Sequence, residues 1–285
     1  MSEFQHYYFR AIDRPLSAEE YKKVDALSSH IDVSSSSAEV SYSYGDFKHD
    51  EEKVTAQYFD AMLYQTNWGQ KKLMFRFPKD SVDYNEMAEY CIDGSDFTGY
   101  TTEIKVWETT NYTLLVIEYC EEDSGEYVEE KALGELLDLR KQLIEGDYSC
   151  LYAFWLKILS LKEENDEDEY DDEDDETTYE LPTLPLGLAK PSSALKAFIN
   201  FYDIDDKLTK AAATFIQKTE KQEPDYQVLI KNMPESDKTQ WLFRLIQGET
   251  LLDVKLKKNL TGASPNDDSI NVTFEQIIKK ALKIK

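Results

Sequence analysis

Three groups of residues combine types and spacings that could do chemistry. Glu103-Ile-Lys105 repeats the Glu-x-Lys half of a metal-dependent nuclease site, where carboxylates hold the ion and the lysine orients water. Such a site needs a second carboxylate, and Asp93 or Asp96 would have to supply it. The plainer reading is an ordinary charged pair on an exposed strand face. Asp93-Gly-Ser-Asp-Phe-Thr-Gly99 offers backbone amides to a phosphate. It lacks Gly-x-Gly-x-x-Gly or Walker spacing and opens no helix, so it reads as a turn. The third group joins Asp13-Arg14-Pro15 to Gly45-Asp46-Phe47-Lys48-His49. If the first two strands run parallel across the first helix, both segments lie at C-terminal strand ends, where open α/β sheets place ligand crevices. Asp13 and Asp46 would accept hydrogen bonds there, while Arg14 and Lys48 would grip an anion or a partner's carboxylate. The local alternative has Asp13 capping a turn, Pro15 fixing the chain before the helix and Asp46 pairing with a neighbour.

Most other catalytic chemistries lack their groups. His6, His30 and His49 have no metal-ligand spacing, and Cys91, Cys120 and Cys150 are too scattered for a disulfide framework or a zinc site. No cofactor is expected. Trp68-Gly69 with Arg76 forms a loose cluster of types common at interfaces, although a Trp ending an amphipathic helix is more often core. Lys255, Lys257, Lys258, Lys279, Lys280, Lys283 and Lys285 could touch RNA. Asp253, Asp267, Asp268 and Glu275 dilute that patch, and no aromatic platform is interleaved.

Charge organises the chain. Hydrophobic residues make up 41% of the 285, enough to bury a core, and the net charge is -25. Residues 1–162 carry -15, residues 163–176 carry -12 and residues 177–285 carry +2. In the middle block 12 of 14 residues are acidic, so it should repel itself and stay solvated. It has no EF-hand glycine at the turn position. Loose cation binding and nucleic-acid mimicry are its other readings. The expected organisation is an acidic α+β domain over 1–162, a disordered acidic linker over 163–180 and a helical domain over 181–285.

The elements that must position these residues follow from periodicity. Alternation marks strands at His6–Ile12, Glu39–Tyr44, Lys72–Phe77, Thr101–Trp107 and Tyr112–Cys120, a mixed sheet of about five strands packed with helices. Ser17 and Glu20 form a capping box that starts the first helix. Asp50–Trp68 reads as one long helix stopped by Gly69, and a short helix follows near Asp80–Tyr90. Lys131–Ile144 and Tyr148–Leu161 are amphipathic helices. Leu181-Pro-Thr-Leu-Pro-Leu-Gly187 should run extended along a surface. Beyond it Ser192–Tyr202, Lys207–Thr219, Pro234–Gln247 and Asn271–Ile284 read as helices. The fold class is therefore an α+β N-terminal domain followed by an all-α C-terminal domain.

Ala11-Ile-Asp-Arg-Pro-Leu16, Tyr44-Gly-Asp-Phe-Lys48, Tyr58-Phe-Asp-Ala61 with Asn67-Trp-Gly69, and Leu73-Met-Phe-Arg-Phe-Pro78 together resemble an uncharacterised bacterial protein family. Gly146-Asp-Tyr148, Leu151-Tyr-Ala-Phe-Trp-Leu156 and the Leu181–Gly187 segment extend the likeness through most of the chain. The resemblance implies a protein partner, a SWIM-type zinc-finger protein, and no site residues. The expected function is that of a bacterial, cytoplasmic, non-enzymatic interaction or regulatory protein acting as a component of a protein complex. The alternative is a metal-dependent hydrolase or nuclease using Asp and Glu. Nineteen tyrosines and the strong charge favour recognition through surfaces. The net charge disfavours nucleic acid as a partner. No apolar run reaches the ~20 residues of a membrane span, and Met1–Arg10 lacks a secretory layout.

Overall fold

The computed structural model describes residues 3–120, 132–166, 181–216, 224–249, 251–261 and 272–284. At its centre are β1 (Phe4–Arg10), β2 (Ile31–Val33), β3 (Ser37–Ser43), β4 (Ala61–Thr66), β5 (Gln70–Pro78), β6 (Ile92–Asp93), β7 (Glu103–Glu108) and β8 (Tyr112–Cys120). They form one sheet in the order β2-β3-β1-β4-β5-β8-β7-β6, and every neighbouring pair is antiparallel. The α+β reading holds for the N-terminal half. The expectation of a mixed sheet of about five strands does not: the sheet has eight strands and no parallel pair.

The largest correction falls on Asp50–Trp68. Helix α1 (Ala18–Asp25) begins at the expected capping box, with the Glu20 amide on Ser17 Oγ and the Ser17 amide on the Glu20 carboxylate. The second helix, α2 (Glu51–Tyr58), stops two turns in, and the chain re-enters the sheet as β4. All six residues of β4 are buried. A strand covered on both faces shows no alternation, so Ala-Met-Leu-Tyr looks the same at helical and strand period. Gly69, at φ +95°, then takes the left-handed conformation that closes the β4–β5 hairpin.

Two cores flank the sheet. On one face Phe9, Met62, Met74, Leu114 and Val116 pack against Leu16, Val24, Val54 and Phe59, from α1, α2 and their flanks. The opposite face, with Leu63, Leu73, Phe75, Leu115 and Ile117, is covered by the longer helices. After α3 (Tyr84–Ala88) and α4 (Ser95–Thr98) come α5 (Ala132–Ile144), α6 (Ser149–Asp166), α7 (Ser193–Phe201) and α8 (Asp206–Ala213). Every residue from Cys150 to Leu159 in α6 is buried, so this helix is enclosed on all sides rather than amphipathic.

Helix α6 also corrects the linker. The expected disorder starts at Glu163, but helical backbone continues through Asp166. Extending a formed helix costs little and glutamate is a good helix former, so the first acidic turn is carried along. The remainder of that expectation, 167–180, lies outside the described residues. The chain returns as a half-buried strap, extended over 181–185 as expected, that sends Leu184 and Leu188 into the large core while Leu186 stays exposed, and Tyr90 donates its hydroxyl to the Thr183 carbonyl at 2.7 Å. A Cβ on Gly187 would collide with the Asp147 carboxylate, which would have to shift to admit it. The Tyr202 hydroxyl reaches the Ile117 carbonyl at 3.0 Å, and Lys157 Nζ reaches the Asp203 carbonyl at 3.1 Å. The buried core thus runs without a break from the sheet into α7 and α8.

The remaining helices are α9 (Tyr226–Asn232), α10 (Glu235–Ile246), α11 (Leu252–Thr261) and α12 (Phe274–Ala281). Ile277 and Ala281 dock α12 onto the core beside α8. No helix among the described residues is long and apolar enough to cross a membrane.

Candidate functional site

The strand-end constellation is divided by topology. Strand β1 pairs with β3 antiparallel, Phe4 opposite Ser43 and Arg10 opposite Ser37. Asp13 and Arg14 leave one end of this pair and Asp46 and Lys48 leave the other, about 20 Å away at the usual rise per residue. The parallel arrangement assumed from the sequence is therefore corrected. A hairpin-type pairing puts successive strand exits at opposite edges, whatever residues they carry.

Each of the four residues has a definite place. Both Asp13 carboxylate oxygens accept from Arg140, at 2.9 and 2.7 Å, and Arg140 Nε donates to the Arg76 carbonyl at 2.9 Å. Arg76 in turn donates to Asp60 Oδ1 at 3.2 and 2.8 Å, and Asp60 Oδ2 accepts the amides of Ile12 and Asp13 at 2.6 and 2.9 Å. Burial pushes the Asp60 carboxyl up, yet the Arg76 charge and these hydrogen bonds together hold it below its ordinary value. The Arg76 guanidinium also sits 4.4 Å over the Tyr112 ring, away from the loose Trp68 grouping read in the sequence. One buried ion pair, Asp60–Arg76, and one part-buried pair, Asp13–Arg140, thus bolt α5, the β1–α1 loop and the sheet together. Arg14 makes a two-pronged pair with Glu20 at 2.7 and 2.6 Å. Its hydrogen bonds, with those of Ser17, bring the Glu20 carboxyl down to about 2. Asp46 accepts from Gln5 Nε2 at 2.9 Å, and Lys48 is exposed on the same loop.

Glu103-x-Lys105 sits in a second polar network. Cross-strand register lines up Tyr64, Lys72, Glu118, Glu103 and Asp93 on five adjacent strands. Lys72 Nζ lies 3.0 Å from Glu51, 3.0 Å from Glu118 and 3.5 Å from Glu52, pinning the first turn of α2 to the sheet. Gln70 Nε2 donates to Glu118 at 2.7 Å, and Lys105 reaches Glu52 at 3.8 Å. Burial alone would lower the Lys72 pKa, but Glu118 and Glu51 outweigh it and keep the ammonium charged. Burial raises Glu103, Lys105 opposes this, and Glu118, Asp93 and Glu52 add to the rise. Asp93 is exposed and accepts the Ser95 amide at 3.0 Å, and Asp96 is exposed. Among the described residues no three His, Cys, Asp or Glu side chains converge as a metal site. The geometry here clamps a helix to a sheet.

Four of the C-terminal lysines are engaged by groups of this chain. Lys255 pairs with Glu249 at 2.8 Å, Lys258 donates to the Ser81 carbonyl at 3.2 Å, Lys279 pairs with Glu275 at 3.4 Å and Lys280 reaches Thr214 Oγ1 at 2.7 Å.

The group that sequence reasoning missed is apolar. Helices α9 and α10 contain no buried residue, and in α11 only Val254 is buried. On α10, Leu242 and Phe243 are each 59% exposed, Leu245 60% and Ile246 83%. Their spacing spreads them over one broad arc of the helix. Val228 and Ile230 on α9 are 50% and 41% exposed. Polar contacts hold the scaffold behind them. The Arg244 guanidinium stacks 4.0 Å from the Trp241 ring and pairs with Glu249 at 2.6 and 2.7 Å. Together with Lys255 it brings the Glu249 carboxyl down to about 2. Asp225 caps α9, and Lys238 Nζ donates to the Lys231 carbonyl at 3.2 Å. The sequence announces an apolar run at 241–246, but a run of this kind is what a core helix shows too. No family model, curated protein or solved structure matches the chain.

Proposed function

We propose that this protein is a non-enzymatic interaction protein, a component of a protein complex, that docks through the apolar face of α10. The observation that carries this reading is the exposure of Leu242, Phe243, Leu245 and Ile246 on a helix that buries nothing of its own. An amphipathic helix gains its tertiary stability by burying its apolar stripe, and this stripe faces water. The polar networks support the same reading from the other side. The buried cations described above are matched by carboxylates or carbonyls, an arrangement suited to holding elements together. A cytoplasmic bacterial setting, expected from the sequence, belongs to the proposal.

The test is affinity capture with the tagged full-length chain, run beside Leu242→Glu/Ile246→Glu, and read by mass spectrometry. The expected outcome is a partner set recovered by the parent and lost by the variant, with equal melting temperatures. Equal recovery by both proteins would overturn the assignment of this face.

A further inference from the structure

We infer that the occupant of the apolar α10 face is a second copy of this chain, paired through the same face in a two-fold dimer. The inference rests on the docking face proposed above and names its partner. Area is the first argument. Four side chains on one arc of α10, Leu242, Phe243, Leu245 and Ile246, are 59–83% exposed. With roughly 150–250 Å² available from a large apolar side chain, they present on the order of 500 Å². That lies towards the upper end of the largest apolar patch that a monomer ordinarily shows. Two such patches face to face remove about 1,000 Å² of apolar surface, which reaches the lower bound of a specific interface once a polar rim is added. A two-fold contact asks only that the patch complement itself, and a broad aliphatic and aromatic face does so.

Charge is the second argument. Two chains of net -25 repel each other over most orientations. The excess acid lies in residues 1–176, and residues 177–285, which include α10, carry +2. Arg244 and Lys255 are already paired with Glu249 behind the apolar face. The face therefore lies where a second acidic copy can approach at least electrostatic cost. A strongly basic partner would gain nothing here and would be steered towards the acid-rich remainder of the molecule. The dimer carries its own signature: since the long-range force between copies is repulsive, added salt should tighten it, the reverse of a contact between opposite charges.

The experiment is sedimentation velocity on the full chain at increasing concentration, at low salt and at about 0.5 M NaCl, where the screening length falls to a few ångströms. The expected result is a species of twice 33.1 kDa that is favoured by salt. Leu242→Glu/Ile246→Glu and the milder Leu242→Ser/Ile246→Ser should each weaken association at least about tenfold, with unchanged melting temperature. A monomer at about 100 µM in both salts would overturn the inference, as would a dimer indifferent to both variants. The monomer result, combined with partner capture that still depends on Leu242 and Ile246, would leave the docking face standing with a different occupant. Loss of both would remove the face itself.

Discussion

The sheet with α5–α8 and the α9–α11 segment solve the burial problem in opposite ways. In the first, strands such as β4 are buried along their whole length, and α6 is buried from Cys150 to Leu159, packed by α4, α7, α8 and the returning strap. Charged groups within it are matched, as in Asp60–Arg76 and Asp13–Arg140. In the second, similar apolar residues are displayed on helices held by caps and surface ion pairs. Hydrophobic composition alone does not separate core from interface. What separates them is whether another element of the same chain covers the stripe.

Substitutions test that contrast most strongly where a charge is buried. Arg76→Ala would leave Asp60, 2% exposed, without its cation, and should cost about 3–5 kcal/mol in urea unfolding. A loss below about 1 kcal/mol would mean that the pair is solvated and the first region is looser than described. A matched pair of leucines gives the direct comparison. Leu156→Ala, in α6 at 0% exposure, should destabilise by about 2–5 kcal/mol. The same change at Leu242 should stay within about 0.5 kcal/mol at a concentration where the chain is monomeric. Equal costs would show that α10 is covered after all. Hydrogen exchange sharpens the boundary without mutation. Amides of β4, β5 and β8 should be protected up to global unfolding, and those of α9 and α10 should exchange orders of magnitude faster in the monomer.

A pH dependence should come from one buried imidazole in the first region. His6 Nδ1 is 2.7 Å from Ser41 Oγ, its Nε2 has no partner among the described residues, and burial lowers its pKa from 6.5 to about 4. Between these two values the unfolded chain binds a proton that the folded chain refuses, so stability falls as pH drops from 6.5 towards 4. His6→Phe should flatten the slope of unfolding free energy across that window. An unchanged slope in the His6 variant would place that imidazole in water.

Local features were legible from the residues. The Ser17–Glu20 capping box, the β8 run, the α6 helix and the Pro234–Gln247 helix all stand close to where spacing put them, because caps and periodicity are settled within a few residues. The candidate site was not legible, and each miss has a long-range cause. Asp13 looked like half of a ligand crevice, but its partner is Arg140, 127 positions away. Glu103 looked like a metal ligand, but register sets it beside Glu118 and in the neighbourhood of the lysine that clamps α2. Amino-acid order by itself determined the acidic surface, the helical ends and the presence of an apolar stripe at 241–246. Tertiary structure alone decided that β4 is a strand, that the sheet is wholly antiparallel and that no other described element buries the α10 stripe. Burial is a property of what packs on a segment, and that neighbour is chosen by the whole chain.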